Sequence, residues 1–247
     1  SDELARLPIS FWPSEPTLKA YADLFASGTQ SSQLLDWPRL ISNSFIVAIS
    51  STVIVVFFGA LAGYAFSRLS FPGRDLILGG LLISRMFQGA ALLLPTYRLM
   101  NAMGLQDSLL GLTLLYSAFG LPFATWIIAS GLREIPVELE EAAMIDGASR
   151  LQSMVIVVLP LATPALITAA MWHFVGAWSE FAFASILIES TRNSTVTIGL
   201  ASFVDYFSLE FNRVGAAATI IALPVIVVFF FGQRYFTRGL LQGAVKG

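Results

Sequence analysis

EAAMIDGASRLQSMVIVVLP, residues Glu141 to Pro160, is the stretch on which the reading of the fold turns. It is a short charged and small-residue segment lying between hydrophobic runs long enough to cross a bilayer. Pro136 suits the first turn of a helix, where its missing N–H costs nothing. Glu138, Glu140 and Glu141 follow in the early turns, where carboxylates favour the positive end of the helix dipole. Asp146-Gly147 is a turn signal. Ala142, Ala143, Gly147 and Ala148 are small, so another backbone can come close. A helix–turn–helix of this kind, held at a membrane face, is shaped to dock into a groove on another protein. The alternative is a solvated loop helix.

Composition points to the same environment. Hydrophobic residues make up 56% of the 247 and charged residues 12%, against about 25% charged in soluble domains. The net charge of −2 implies no nucleic acid or acidic partner. With no cysteine there is neither a disulfide framework nor thiol chemistry. Five segments meet the span requirement of roughly 20 residues: about 40–66, 76–99, 109–131, 162–188 and 214–233. The expected fold class is an all-α polytopic membrane protein. Pro95, Pro122, Pro164 and Pro224 fall inside or at the ends of these spans, which membrane helices tolerate when neighbours satisfy the freed carbonyls. Gly59 and Gly63 form a GxxxG pair, read as ordinary close packing.

Basic residues in short loops set the orientation. Arg68, Arg74, Arg133, Arg150, Arg234, Arg238 and Lys246 lie on one side, and Arg39, Arg98, Arg192 and Arg213 on the other. The richer side is expected in the cytoplasm. That places the 133–160 segment and the tail 234–247 inside, with residues 1–38, including Arg6 and Lys19, outside. Residues 1–38 do not read as a signal peptide, which needs a basic start and an apolar stretch.

Several chemistries are excluded. A P-loop needs Gly-Lys before Ser or Thr, and the only lysines, Lys19 and Lys246, follow Leu18 and Val245. One histidine, His173, rules out an HExxH zinc site, and no GxSxG elbow is present. The ionisable residues inside the spans are the remaining functional candidates. His173, Gly176 and Glu180 recur at three- and four-residue spacing on one helix face, with Trp172 and Trp178 beside it. A carboxylate can accept sugar hydroxyls, and an aromatic ring can pack on a sugar's apolar face. Structural roles compete. His173 can bond a neighbouring helix, Trp172 and Trp178 can be interfacial anchors, and Glu180 can pair with Arg85, placed roughly 15 Å into the second span by helix rise.

The segment also carries a family pattern. Glu141-Ala142-Ala143, then Gly147, then Val157-x-Leu159-Pro160 resembles the signature of ABC importer permease subunits, and Asp146 before the glycine fits. Phe71-Pro72-Gly73, the trio Trp178-Ser179-Glu180 and the ending GLLQGAVKG (239–247) are similar to the carbohydrate-uptake branch, although Ser179 stands where that branch often has asparagine. The resemblance implies a type I permease helix bundle of six helices in a prokaryotic inner membrane, both ends cytoplasmic. Five spans are visible, so a further helix is expected before Ser1, with 1–38 the loop after it and 39–233 the transmembrane domain. It implies no catalysis and no cofactor in this chain, ATP and magnesium belonging to partner ATPases. The implied assembly is two ATPase subunits, a second and different permease, and an external sugar-binding protein. Coupling is expected at Glu141, Ala142, Ala143, Asp146, Gly147, Ala148, Leu159 and Pro160, and the substrate path at Trp172, His173, Trp178 and Glu180. An importer for another small solute, or a secondary carrier using Arg85 with Glu180, is the alternative.

Overall fold

The computed structural model describes residues 17–25, 35–87, 90–203 and 211–244. Most of the 1–38 segment and the last three residues of the tail lie outside them, and the side chains of 234–247 are not described. Among the described residues all regular structure is helical.

A short helix α1 (Lys19–Phe25) precedes α2 (Trp37–Arg68). Asp36 caps α2 by accepting the N–H of Arg39, and Pro38 sits in its first turn, where no intrahelical donor is lost. At 32 residues α2 is about 48 Å long at 1.5 Å per residue. The later helices gather around it. α3 (Arg74–Ser84) passes through a 3-10 turn (Arg85–Phe87) towards α4 (Ala90–Ala102). α5 (Leu109–Arg133) starts at Ser108, whose hydroxyl accepts the N–H of Gly111. α6 (Glu138–Ile145) and α7 (Arg150–Ser153) carry the segment quoted at the outset. One turn of π-helix (Met154–Val158) and α8 (Leu159–Leu161) lead to α9 (Thr163–Trp178), followed by α10 (Ala182–Leu187), α11 (Val196–Ala201) and α12 (Phe211–Ala244).

The centre of the bundle is α2 against α5 and α9, with α12 on the far side of α9. The backbones of α2 and α5 come very close. A Cβ added at Gly63 would lie 2.9 Å from Ile128 Cγ2 and 3.1 Å from the backbone nitrogen of Ala129. The glycine is there because nothing larger fits. Near the α6 end the core is Val55, Tyr64, Ile128, Leu132, Met154 and Val158. Towards the opposite end it is Val47, Leu112, Leu115, Tyr116 and Leu187. Outer faces of α2 and α12 leave Phe57, Phe58, Phe229, Phe230 and Phe231 each more than half exposed. Water would penalise so wide an apolar surface, whereas hydrocarbon does not.

The five expected spans appear only in part as continuous helices. Among the described residues Trp37–Arg68, Leu109–Arg133 and Phe211–Gln233 are long and apolar enough to cross, and Arg150–Leu161 with Thr163–Trp178, a pair bent by 73°, is so only when taken together. The expected 76–99 span is broken at Arg85, whose guanidinium donates to the carbonyl of Phe119 on α5 at 3.0 Å and lies 5.4 Å from the Phe123 ring centre. A cation that finds its partners sideways on α5 ends the helix that carries it. The expected 162–188 span ends at Trp178, and beyond it the Glu180 carboxylate reaches forward to accept the N–H groups of Phe183 and Ala184 in the first turn of α10.

Candidate functional site

Two regions hold the residues singled out by sequence. At one end of the bundle α6 and α7 form the helix–turn–helix. The turn is a Schellman motif: the N–H of Gly147 reaches the carbonyl of Met144 at 3.1 Å, and that of Ala148 the carbonyl of Ala143 at 3.0 Å. Gly147 takes φ +96°, a left-handed conformation that any side chain would strain. Ser149 and Gln152 then make a reciprocal capping box that starts α7. Glu141, Ala142, Asp146 and Gly147 are exposed, Ala143 and Ala148 are half-buried, and Ile145 is 86% exposed. The segment therefore presents small residues and a bare isoleucine outward. Leu159 is half-buried and Pro160 exposed beyond the π turn.

One residue of this segment faces the other way. Glu140 is buried, accepts from the Tyr64 hydroxyl, and pairs with Arg68 Nε at 3.1 Å. Sequence reading treated Glu140 as one more first-turn carboxylate. Its partners are 72 and 76 residues away, and no local signal connects them.

The second region is a cavity of about 210 Å3 between α5, α9 and the Arg85 turn, lined by Arg85, Tyr116, Trp172, His173, Gly176 and Glu180, among others. Trp172, His173 and Glu180 are thus brought together as their spacing suggests. His173 Nε2 also lies 3.0 Å from the Ser51 hydroxyl of α2, so it both borders the cavity and ties two helices. Trp178 is not part of the lining. It is 2% exposed, its indole N–H donates to the carbonyl of Ile221 on α12 at 3.0 Å, and its ring packs on Phe45 and Phe174.

The Glu180 carboxylate is already engaged. Oε1 accepts the N–H of Phe183 at 2.8 Å, and Oε2 the N–H of Ala184 at 3.0 Å and the Tyr116 hydroxyl at 2.6 Å. The ion pairs among the described residues join Arg68 with Glu140 and Asp75 with Arg74 and Arg133. Arg85 and Glu180 border one cavity without forming such a pair. Among the described residues no group of three or more His, Cys, Asp or Glu could hold a metal ion.

A helical membrane bundle with a polar, aromatic cavity among its helices and an exposed small-residue helix–turn–helix at one end fits the class of transport permeases. The chain is a member of the binding-protein-dependent transport system inner membrane component family, whose model matches residues 25–242. It is 34% identical over 235 residues to the inner membrane ABC transporter permease protein YcjP of Escherichia coli (strain K12), covering 95% of this chain and 82% of that one. It is 37% identical to the trehalose transport system permease protein SugB of Mycobacterium tuberculosis (strain CDC 1551 / Oshkosh), covering 95% and 84%. Among solved structures, that of a bacterial ABC transporter importing the acidic polysaccharide alginate superposes with a TM-score of 0.78 at 22% identity, over 95% of this chain and 85% of that one. The protein is therefore a multi-pass inner-membrane translocation subunit, and ATP hydrolysis belongs to a separate subunit.

Proposed function

We propose that this chain is one permease subunit of an ATP-driven sugar importer. The assembly has two ATPases, a second and different permease, and an external binding protein that delivers the sugar. Relatives named for trehalose, trehalose/maltose and maltodextrin transport support a sugar as the solute. The α6–α7 end lies in the cytoplasm and docks an ATPase. Closure of the ATPase pair moves the docked helices, and the bundle reopens its cavity outward to receive the sugar. Arg85, Trp172 and Glu180 border the path, the guanidinium donating to sugar oxygens and the indole stacking on the ring. ATP and magnesium act in the ATPases, with no cofactor in this chain.

The observation that carries the proposal is the outward face of α6–α7. Small residues flank a bare Ile145, and a left-handed Gly147 fixes the turn. Glu141→Lys reverses a charge on that face, and Gly147→Asp adds both bulk and backbone strain. Each is expected to abolish uptake and ATPase co-purification while the bundle stays folded. Normal uptake by both variants would overturn the docking role. The solute is tested by uptake of labelled trehalose and maltodextrins into vesicles bearing the complete transporter. No uptake of any sugar, with an amino acid transported instead, would overturn the sugar assignment.

A further inference from the structure

The residue that ties the docking helix to the bundle faces inward, opposite the docking surface. Glu140 on α6 and Arg68 at the end of α2 are each 5% exposed at the side chain. Arg68 works as a fork: Nε bonds Glu140 at 3.1 Å, and the terminal nitrogen donates to the carbonyl of Ile135, in the α5–α6 turn, at 2.8 Å. The Tyr64 hydroxyl, one turn back on α2, donates to the other Glu140 oxygen. Behind it, the Ser153 hydroxyl at the end of α7 donates to the Glu140 carbonyl. The carboxylate and backbone carbonyl of Glu140, together with the Arg68 fork, thus tie α2, α6, α7 and the α5–α6 turn.

The other end of α2 is fastened as firmly. The Asn43 side-chain amide donates to the carbonyls of Arg192 and Ser194, both at 2.9 Å, and the Ser44 hydroxyl accepts the N–H of Val196 at 2.9 Å. Midway, Ser51 meets His173 of the cavity wall. α2 is therefore a continuous helix bonded at one end to the docking segment, at its middle to the cavity, and at the other end to the loop leading into α11.

We infer that α2 is the rod that carries motion from the docked ATPase to the cavity, and that Glu140 is the positioning residue joining rod to docking helix. The inference rests on the reading that α6–α7 docks an ATPase. It assigns different work to adjacent glutamates. Glu141 faces the partner, whereas Glu140 faces α2 and need not touch the partner. Removing one member of a buried ion pair leaves the other uncompensated, so single charge changes should be far worse than a paired exchange.

The experiment uses the complete transporter in proteoliposomes, with ATP hydrolysis and solute uptake measured on one preparation and ATPase retention checked first. Glu140→Gln, Arg68→Glu, Arg68→Lys and the exchange Glu140→Arg with Arg68→Glu are compared. Glu140→Gln and Arg68→Glu are expected to retain bound ATPase and hydrolysis but to deliver about tenfold less solute per ATP. The exchange should recover much of that ratio. Arg68→Lys keeps the charge, loses the fork, assembles fully and should fall between. A merely structural role would lower hydrolysis and uptake together and leave their ratio alone. An unchanged ratio in the assembled variants, Arg68→Lys included, or an exchange no better than the single changes, would overturn the inference. Loss of bound ATPase with Glu140→Gln would do so too, because Glu140 would then belong to the docking face. Failure of Glu141→Lys to release the ATPase would instead count against the docking reading.

Discussion

Asp107 closes the end of the bundle opposite the α6–α7 segment, and three substitutions there separate its hydrogen bonds from its backbone strain. Its Oδ1 accepts the N–H of Glu189 at 3.2 Å and both the N–H and hydroxyl of Ser190 at 3.0 and 2.9 Å. Its own N–H bonds the Leu187 carbonyl, and its carbonyl accepts from Asn193. The residue sits at φ +48°, a conformation that Asn and Gly tolerate and Ala resists. With about 1 kcal/mol net per bond, Asp107→Gly should cost about 3 kcal/mol. Asp107→Ala adds strain of about 1 kcal/mol, for a total near 4. Asp107→Asn keeps an acceptor and the φ, so it should lose only the charge assistance, about 1 kcal/mol. The readout is hydrogen exchange at the Glu189 and Ser190 amides in nanodiscs. Three kcal/mol corresponds to roughly a hundredfold faster opening in Asp107→Gly. Equal exchange in the Asn and Ala variants, or protection in Ala no worse than in Gly, would refute the reasoning. The pH dependence follows in sign. Burial pushes the Asp107 carboxyl up, but the bonds from Ser190 and Glu189 outweigh it and hold it below the usual range. A folded value below the unfolded one means the stabilisation is fully present above the ordinary carboxylate range, about 4. It is lost as pH falls through the folded value, so the wild-type loop should open on acidification while Asp107→Asn changes little.

Gly63→Ala places a Cβ against Ile128 and the Ala129 backbone and should destabilise by about 1–3 kcal/mol. Gly80→Ala on α3 meets nothing within 4 Å and should gain about 0.5 kcal/mol. Thermal unfolding in detergent gives both signs, and a Gly63→Ala protein as stable as wild type would dismiss the close-packing argument. At Glu180, Ala should free the start of α10 and lower stability by about 2–4 kcal/mol from three lost bonds. Glu180→Gln should assemble, keep hydrolysis coupled and alter sugar uptake, and unchanged uptake across sugars would remove Glu180 from the path. Trp178→Phe should lower stability by about 1 kcal/mol through the lost bond to Ile221, with sugar preference unaltered. A changed preference would return Trp178 to the path.

The features legible in sequence are those whose physics is local or additive. Apolar runs interrupted by few charges require a membrane, because only hydrocarbon accepts faces such as Phe229–Phe231 without penalty. The turn between α6 and α7 was legible because Asp146-Gly147 is a local signal, with glycine at the left-handed position, whereas the Ser149–Gln152 box that starts the next helix emerged only in the structure. Spacing also suggested that His173, Gly176 and Glu180 share a face, and they line one cavity although α9 ends at Trp178, two residues before Glu180. Tertiary structure decided matters that depend on partners far along the chain. Glu140, Glu141 and Glu138 look alike in sequence, yet only Glu140 meets Arg68 and Tyr64, because the face it occupies is set by how α6 packs against α2. Trp178 lies about one helical turn from Phe174 but sends its indole N–H to α12, an element that hydropathy placed in the membrane without placing it beside α9. The expected spans 76–99 and 162–188 are broken near Arg85 and Glu180, where a half-buried charge takes its bonds from another helix or from backbone amides ahead. A hydropathy window averages such a residue away, and in the folded bundle its unmet hydrogen bonds decide where the helix ends.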